Sequence, residues 1–373
     1  MTDTSVSKAR GRLQSLDVLR GITVAGMILV NNGYGESFEM LQHSRWNGMT
    51  PCDLVFPFFL FIMGISCYLS LAKTQFTPTK AVVWKILKRT VLLFVIGLFI
   101  NWFHMAMKGA PLDFGNLRVW AVMQRIALCY LAVSLFAIFA NHRYTLPTVA
   151  LLLAFYTLLI IFGNGYSEDP TQNIIARADR WLFGYGHLYH KSVVDPEGLL
   201  GTISSIAHVL LGFYCGKIIK GSRKPGQGSQ QDIYAVCLNI FTLGTVCIVL
   251  GYLLTYGLPL NKRIWSPSYV LVTCGLCALL QALLIYKERQ PHSTLHTPPF
   301  SLVFGVNPLA LYVFSELLSI VFSTLGVNDA IYNGLHTVIP WAKWASLAYA
   351  LTFVAINYAV GYILYRKKIY IKL

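Results

Sequence analysis

The chain alternates between long apolar stretches and short polar connections over nearly its whole length. A helix needs about 20 mostly apolar residues to cross a bilayer, and the continuous apolar runs at 91–100 and 131–140 favour helices because a helix satisfies its own backbone hydrogen bonds within lipid. The pattern predicts an all-α polytopic membrane protein, a bundle of about ten transmembrane helices. The predicted spans are approximately 16–34, 52–73, 85–106, 118–140, 144–163, 198–219, 232–257, 266–287, 301–326 and 341–365.

The polar connections divide the chain further without breaking it into domains. Residues 1–15 are predicted as a cytoplasmic tail, 220–231 as a Gly-, Ser- and Gln-rich cytoplasmic linker, and 164–197 as a long outer loop that is rich in aromatic and polar residues. The first apolar run lacks a small-residue cleavage site, so we expect it to stay as a span. We therefore expect one transmembrane domain over 1–373.

Composition and charge agree with a membrane protein and set its orientation. The chain is 55% hydrophobic and only 12% charged, with a net charge of +15. With both termini in the cytoplasm, 20 of the 30 basic residues fall on the inner side, as the positive-inside rule requires. The positive charge therefore needs no nucleic acid to explain it. The eight cysteines lie mostly within predicted helices and favour buried thiols over a metal site or a disulfide framework.

Polar groups at the outer ends of the first two spans are the first functional candidates, because such groups need a partner or a wet cavity. Asn31 ends the first span, His43 follows in the connection with Trp46 and Asn47, and Asp53 begins the second span. Imidazole suits proton transfer or acyl transfer near neutral pH. Asp53 has two compatible interpretations, a helix cap or a carboxylate that orients His43.

Two charges lie deeper in the predicted helices. Arg125 needs a counterion such as Asp53 or Glu316, or an anionic ligand, and Glu316 is suited either to a substrate ammonium or to neutralising Arg125. Near the longest outer loop's end, Asp195 and Pro196 are typical of a helix N-cap followed by proline at the first helical position. Capping is the favoured interpretation there over catalysis.

Several blocks in the same order resemble one family, heparan-alpha-glucosaminide N-acetyltransferase and its bacterial relatives. The similarity covers nearly the whole chain and is to the short bacterial form, without the luminal region and the further helix of the lysosomal enzymes. The blocks are RLQSLDVLRGI at 12–22, VN at 30–31, HSRWNG at 43–48, DLVFP at 53–57, FIMG at 61–64, QR at 124–125, DPEGLLGT at 195–202, WSPSY at 265–269, GVNP at 305–308 and YRKK at 365–368.

The resemblance implies an acyltransferase of the bacterial inner membrane that takes acetyl-CoA from the cytoplasm and acetylates the amine of a glucosamine-type sugar outside. It implies His43 as the active-site residue and Asn31 as its companion. Asp53 would orient the imidazole. Substrate contacts are expected from Trp46, Asn47, Arg125 and Glu316, and contacts to the nucleotide of CoA from Arg89, Lys88 and Lys367. For those three cations, solvated or lipid-facing charge is the alternative.

The sequence leaves other interpretations open. His43 is either a general base or an acyl carrier, and the residues do not distinguish the two roles. A transporter for amino sugars and an acyltransferase for another cell-envelope glycan are the alternative functions. No metal is expected, and a homodimer is a further candidate assembly.

Overall fold

A computed structural model describes residues 13–221, 230–289 and 300–371; for residues 230–232 it describes the backbone alone. Most of the predicted tail and linker lies outside these ranges. All regular structure in the described ranges is helical. The helices are α1 Gln14–Asn31, α2 Val55–Leu71, α3 Lys80–Met107, α4 Val122–Phe139, α5 Thr145–Phe162, α6 Ile174–Phe183, α7 Leu199–Gly221, α8 Gln230–Leu254, α9 Pro267–Glu288, α10 Phe300–Val306, α11 Pro308–Thr324, α12 Val327–Val338 and α13 Ala342–Arg366.

The all-α polytopic fold is confirmed, with two corrections to the predicted spans. Within the described ranges, eight helices are long and apolar enough to cross a membrane. Helix α1 lies where the first span was predicted, but Gln14, Asp17, Arg20 and Asn31 lower its hydropathy below that of the eight. Within the described ranges, the spans that are long and apolar enough therefore number eight, or nine if α10 and α11 together form one broken span, instead of about ten.

The predicted span 301–326 is wrong as one continuous helix. It consists of α10 and α11, whose axes are bent by 92° at a break. Asn307 occupies that break, and Pro308 begins α11. Proline cannot continue the hydrogen bonding of a preceding helix, and it disfavours helical geometry at the residue before it, which accounts for the position of the bend.

The bundle has a buried centre and a lipid-facing periphery. Helices α2, α4, α7 and α9 are mostly buried in their apolar segments, whereas α3, α5 and α8 expose most of theirs. Close approach at the centre depends on glycine: a Cβ on Gly64 would lie 2.1 Å from the Val209 carbonyl oxygen, and one on Gly212 would lie 2.1 Å from that of Phe61. Small residues allow such backbone contacts between helices in lipid, and here they join α2 to α7.

Alternating helix directions bring several connections to one end of the bundle. Four hydrogen bonds join them there. The Trp46 indole N–H donates to the Tyr166 carbonyl at 3.0 Å, Gly48 N donates to the Leu260 carbonyl at 2.7 Å, and Val119 N donates to the His187 carbonyl at 3.1 Å. The Arg263 guanidinium also donates to Ser192 Oγ at 2.6 Å, which joins the α8–α9 connection to the α6–α7 connection. Through these four bonds, the α1–α2, α3–α4, α5–α6, α6–α7 and α8–α9 connections form one continuous cap over that end.

Candidate active site

A cavity of about 360 Å³ lies beneath this cap, between the connections and the ends of the helices. We call it the main cavity. Its polar lining comes from three helices, α1, α3 and α11, and from four connections. The polar side chains that line it are Asn31, His43, Ser44, Asp53, Asn101, Arg118, Tyr189, Glu197, Lys262, Arg263, Tyr312 and Glu316.

His43 and Asp53 are in direct contact at one wall of the cavity. The His43 Nδ1 atom lies 2.8 Å from Asp53 Oδ1. The histidine side chain is 48% exposed, whereas the carboxylate is fully buried. When Asp53 holds the proton on Nδ1, the lone pair on Nε2 remains available to a reactant. The structure thus brings together the two residues that the sequence suggested as an imidazole and its orienting carboxylate.

Asp53 is fixed by the backbone around it. Its Oδ2 atom accepts hydrogen bonds from Ser44 N and Thr50 N, both at 3.1 Å, and Thr50 with Asp53 forms a capping box. Tyr269 donates its hydroxyl to the Asp53 backbone carbonyl at 2.6 Å. The predicted cap is confirmed, and it leaves Oδ1 directed at His43. A carboxylate held in this way can orient an imidazole without searching among rotamers.

Lys262, in the connection between α8 and α9, completes this wall. Its Nζ atom lies 3.0 Å from His43 Nδ1 and 3.2 Å from Asp53 Oδ1. The ammonium therefore neutralises the buried carboxylate and shares one of its oxygens with the imidazole. We refer to His43, Asp53 and Lys262 as the histidine cluster.

The two asparagines at the end of α1 have different surroundings. Asn32 is buried, and its amide donates to the Ile28 carbonyl and to Ser315 Oγ. Asn31 faces the main cavity and donates to Glu316 Oε1 at 3.2 Å. An amide carries two N–H donors, so Asn31 retains one beyond its bond to Glu316. Asn31, Glu316 and His43 therefore line one cavity.

A second set of charged residues contributes to the lining of the same cavity. Arg118 Nη2 contacts Asp195 Oδ1 at 2.9 Å and Glu197 Oε2 at 2.8 Å, and its guanidinium lies 4.6 Å from the centre of the Tyr189 ring. Burial alone would lower the pKa of Arg118, but Glu197 and Asp195 raise it above its ordinary value. We refer to Arg118, Tyr189, Asp195 and Glu197 as the arginine cluster.

The structure corrects the predicted cap at Asp195. Helix α7 begins at Leu199, and Leu199 N donates to Asp179 Oδ1 at 3.0 Å from the neighbouring α6. Asp195 instead accepts from Glu197 N and pairs with Arg118. The sequence missed this pairing because Arg118 lies 77 residues away, and no local pattern connects the two.

Arg125 does not reach the main cavity. It is 1% exposed, donates to the Gly198 carbonyl at 3.0 Å and lies 5.0 Å from the centre of the Trp265 ring. Among the described ion pairs, none joins it to Asp53 or Glu316, so the predicted counterions are wrong. A carbonyl oxygen and an aromatic face take the place of a carboxylate, which ties α4 to the start of α7.

Trp46 and Asn47 also lie outside the lining of the cavity. Trp46 is buried, with its indole bonded to the Tyr166 carbonyl, and Asn47 Oδ1 accepts from Asn261 Nδ2 at 3.1 Å. Both side chains hold the His43 connection against the rest of the cap. The sequence interpretation placed them with the substrate because they are close to His43 in the chain.

The cavity residues that the sequence did not single out are mostly charges in short connections. The sequence interpretation used Arg118, Lys262 and Arg263 only in the charge balance of the outer side. Their common position on that side was the one feature that could have indicated them as neighbours of His43. Tyr189 and Glu197 come from the loop 164–197, which the sequence predicted as a long outer loop rich in aromatic and polar residues. The sequence shows that these two residues are polar, but only the folded structure shows that they lie in the same cavity as His43.

A second cavity of about 210 Å³ lies among α1, α2, α3, α4 and α11. Arg89 lines it and stacks 4.6 Å from the centre of the Tyr130 ring. Arg20 lines it as well and donates to Ser66 Oγ at 2.8 Å. Lys88 and Lys367 are exposed and lie outside the lining of this cavity.

The amino-acid sequence is similar to that of known proteins. A family model described as "Heparan-alpha-glucosaminide N-acetyltransferase, catalytic" matches residues 12–180. The curated heparan-alpha-glucosaminide N-acetyltransferases of Mus musculus and Homo sapiens are each 28% identical to the chain, over 91% and 97% of its length. The chain is similar to these enzymes over most of its own length. It spans 59% and 60% of the length of those two relatives. The match contains Asn31, His43, Asp53 and Arg118, whereas Glu197, Lys262 and Glu316 lie beyond it.

Proposed function

We propose that the protein is a transmembrane N-acetyltransferase that moves the acetyl group of acetyl-CoA to the amine of a glucosamine-type sugar. The observation that carries this proposal is the pair of His43 and Asp53 at 2.8 Å, with the imidazole open to a cavity large enough for a monosaccharide unit. Similarity to the acetyltransferase family supports the type of reaction. The donor, the acceptor and the roles of individual residues are part of the proposal.

In direct transfer, His43 acts as the base. Its Nε2 takes a proton from the acceptor ammonium, the amine nitrogen attacks the thioester carbonyl, and the remaining N–H of Asn31 donates to the developing oxyanion. The C–S bond then breaks, the imidazolium returns its proton to the departing thiolate of CoA, and the amide nitrogen releases its remaining extra proton to solvent. Asp53 holds the imidazole in the tautomer that this sequence requires, and Glu316 binds the acceptor ammonium before transfer.

In the alternative, His43 carries the acetyl group. Its Nε2 attacks the thioester, CoA departs as the thiol, and the acetylimidazole is then attacked by the amine. Incubation with labelled acetyl-CoA in the absence of a sugar distinguishes the two routes. Label trapped on wild-type protein and absent from His43→Ala supports the carrier, whereas ternary-complex kinetics without labelled protein supports the base.

We place the donor on the side of the second cavity. Arg89 offers a cation to the anionic part of acetyl-CoA at that cavity, and Lys88 and Lys367 offer exposed cations to the nucleotide phosphates. The positive-inside pattern places this end of the bundle in the cytoplasm, which for a bacterial protein means the inner membrane. The pantetheine arm would then extend through the bundle toward His43.

The test is acetyl transfer by the purified protein in detergent, with labelled acetyl-CoA and glucosamine. We expect N-acetylated product, and we expect His43→Ala to lower the rate by about 10²–10⁴-fold, the usual contribution of a positioned acid–base group. His190→Ala is the matched control, because His190 is an exposed loop histidine outside the main cavity. Full activity in His43→Ala would overturn the site assignment.

A transporter for amino sugars predicts a different result. Labelled glucosamine would enter vesicles without acetyl-CoA, and no acetylated sugar would form in detergent. A product with acetyl on another glycan, or on oxygen instead of nitrogen, would retain the acyltransferase and change its acceptor. Mass spectrometry of the product identifies the acetylated atom.

A further inference from the structure

Three groups converge on a single nitrogen at His43. Around Nδ1 lie Asp53 Oδ1 at 2.8 Å, Cys52 Sγ at 3.0 Å and Lys262 Nζ at 3.0 Å. A ring nitrogen takes part in one good hydrogen bond, as donor or as acceptor. The surroundings of Nδ1 therefore offer more partners than hydrogen bonding can satisfy, and one of those partners is a thiol.

These atoms are the ligand set of a thiophilic cation. His43 Nδ1, Cys52 Sγ and a carboxylate oxygen of Asp53 lie within 4.8 Å of one another. Imidazole nitrogen, thiolate sulfur and carboxylate oxygen are the donors that Zn²⁺ takes in proteins, and thiolate favours soft metals further. The backbone amides occupy Asp53 Oδ2. Oδ1, which already faces the Lys262 ammonium, is therefore the oxygen that a cation would take.

The site already accommodates a positive charge. Lys262 Nζ lies 3.2 Å from Asp53 Oδ1, so the ammonium occupies the place where a cation would interact with the carboxylate. A divalent ion bound there would have to displace it. His43 gives access from the main cavity, since its side chain is half exposed whereas Cys52 is 1% exposed.

We propose that His43 Nδ1, Cys52 Sγ and Asp53 Oδ1 form a binding site for a thiophilic divalent cation, Zn²⁺ or Cd²⁺, which displaces the Lys262 ammonium. Metal–ligand bonds of about 2.0–2.3 Å require ligand atoms separated by about 3.5 Å in a tetrahedral site. His43 Nδ1 therefore moves away from Asp53 Oδ1 and Cys52 Sγ by about half an ångström on binding. Cys52 binds as the thiolate and releases its proton to solvent. The fourth position faces the cavity.

Occupation would inhibit transfer, and this part alone rests on the proposed function. The ion takes the Nδ1 atom of His43 and the Asp53 oxygen that orients it, so the imidazole can no longer serve as an oriented base or acyl carrier. Inhibition should be reversible, because a chelator removes the ion without a change in any covalent bond of the protein.

Direct binding is measured first, by titrating the purified full chain with Cd²⁺ and following the ultraviolet absorption of the Cd–thiolate bond. We expect Cys52→Ala to weaken binding at this site by at least about tenfold, as loss of a ligand must exceed loss of a supporting contact. Lys262→Met should strengthen binding, because it removes the competing ammonium. Cys237→Ala is the matched control: Cys237 is partly exposed and bonds only to the Ala282 carbonyl among the described contacts.

Cys52→Ser guards against a folding defect in the alanine variant, since it keeps a side chain of similar shape and removes the sulfur. Wild-type affinity in both Cys52 variants would overturn the proposal, as would weaker binding in Lys262→Met. Acetyl transfer with and without Cd²⁺ follows, with EDTA to reverse the effect. Cys52→Ala should be active and resistant to Cd²⁺, and equal inhibition of the variant and the wild type would overturn inhibition through this site. Protein without transferase activity that still binds Cd²⁺ through Cys52 would refute the proposed function and leave the metal site standing.

Discussion

The histidine cluster and the arginine cluster face the same cavity, yet they use their charges differently. Each combines a fully buried aspartate with a cation. In the arginine cluster, Arg118 is 26% exposed and bonds two carboxylates, so its charge is matched by close partners. In the histidine cluster, the buried Asp53 supports an imidazole that is 48% exposed and open to the cavity. The charged groups of the arginine cluster pair with one another, whereas the histidine cluster leaves an imidazole nitrogen available to a reactant.

The comparison suggests how chemistry and stability are divided in this site. A buried aspartate that pairs only with an arginine provides no reactive group to a substrate, and it affects the substrate only through the shape and charge of the cavity lining. A buried aspartate that orients an exposed imidazole transfers its influence to a group that can exchange protons. We therefore expect substitutions in the histidine cluster to affect the rate of transfer first, and substitutions in the arginine cluster to affect stability first.

The largest effect is expected from Asp53→Asn. The substitution keeps the size of the side chain and an oxygen for Ser44 N and Thr50 N, but it presents an amide to His43 Nδ1. The imidazole then loses the partner that holds its productive tautomer, and we expect the rate of acetyl transfer to fall by about 10³–10⁴-fold. The turnover number, measured beside the melting temperature, checks this prediction.

Asp113→Asn is the control for that substitution. Asp113 is an exposed aspartate that bonds the Asn116 amide within its own turn at the end of α3. It should transfer acetyl at nearly the wild-type rate. If Asp53→Asn lowered the melting temperature and left the turnover number unchanged, Asp53 would be a cap alone, and the contrast between the clusters would disappear.

The fold was largely predictable because the bilayer imposes strong constraints on sequence. Runs of about 20 apolar residues have few structural solutions in lipid, so helices lie close to the predicted positions. The failures have local causes. Polar residues reduce the apolar character of α1, and the break at Asn307 and Pro308 bends a stretch whose hydropathy alone suggests one span.

The contacts of the site were predictable only where the partners are close in the chain. Asn31 and Glu316 were each singled out as polar residues in helices, but their hydrogen bond was not predicted. His43 and Asp53 are ten residues apart and share one connection. Lys262 is 219 residues from His43, and Arg118 is separated from Glu197 by 79. Contacts of that kind depend on which connections meet at the end of the bundle. The error at Arg125 has the same origin, since its partners, Gly198 and Trp265, are uncharged and distant in sequence.

Arg118→Met should have the next largest effect, and it should appear in stability. Removal of the guanidinium leaves Asp195 and Glu197 side by side with one partner fewer, and breaking a largely buried ion pair costs roughly 3–5 kcal/mol. The melting temperature in detergent should fall by several degrees. Arg263→Met is the control, because Arg263 lines the same cavity but bonds the Ser192 hydroxyl instead of a carboxylate. An equal change in both variants would mean that the ion pairs of Arg118 add nothing.

The smallest effect is expected at Asp179, which lies in α6 and accepts a hydrogen bond from the first residue of α7. Its Oδ1 accepts from Leu199 N, whereas Oδ2 is buried without a hydrogen-bond partner in the described part of the chain. Burial raises the pKa of Asp179 from its ordinary 3.8 to about 7. Between those values the folded protein holds the proton and the unfolded chain has released it, so stability declines as the pH rises through this range.

Asp179→Asn keeps the acceptor for Leu199 N and cannot lose a proton. We expect its melting temperature to fall less than that of the wild type between pH 5 and about pH 8, with the two proteins diverging as the pH approaches 7. Asp169→Asn is the control: a hydrogen bond from Thr171 lowers the pKa of the partly exposed Asp169, so its contribution is lost only in more acidic solution. Parallel curves for Asp179→Asn and the wild type would mean that Asp179 is ionised throughout this range. Asp179 would then be a buried negative charge near that of Asp195, and the charge of Arg125 would help to stabilise it.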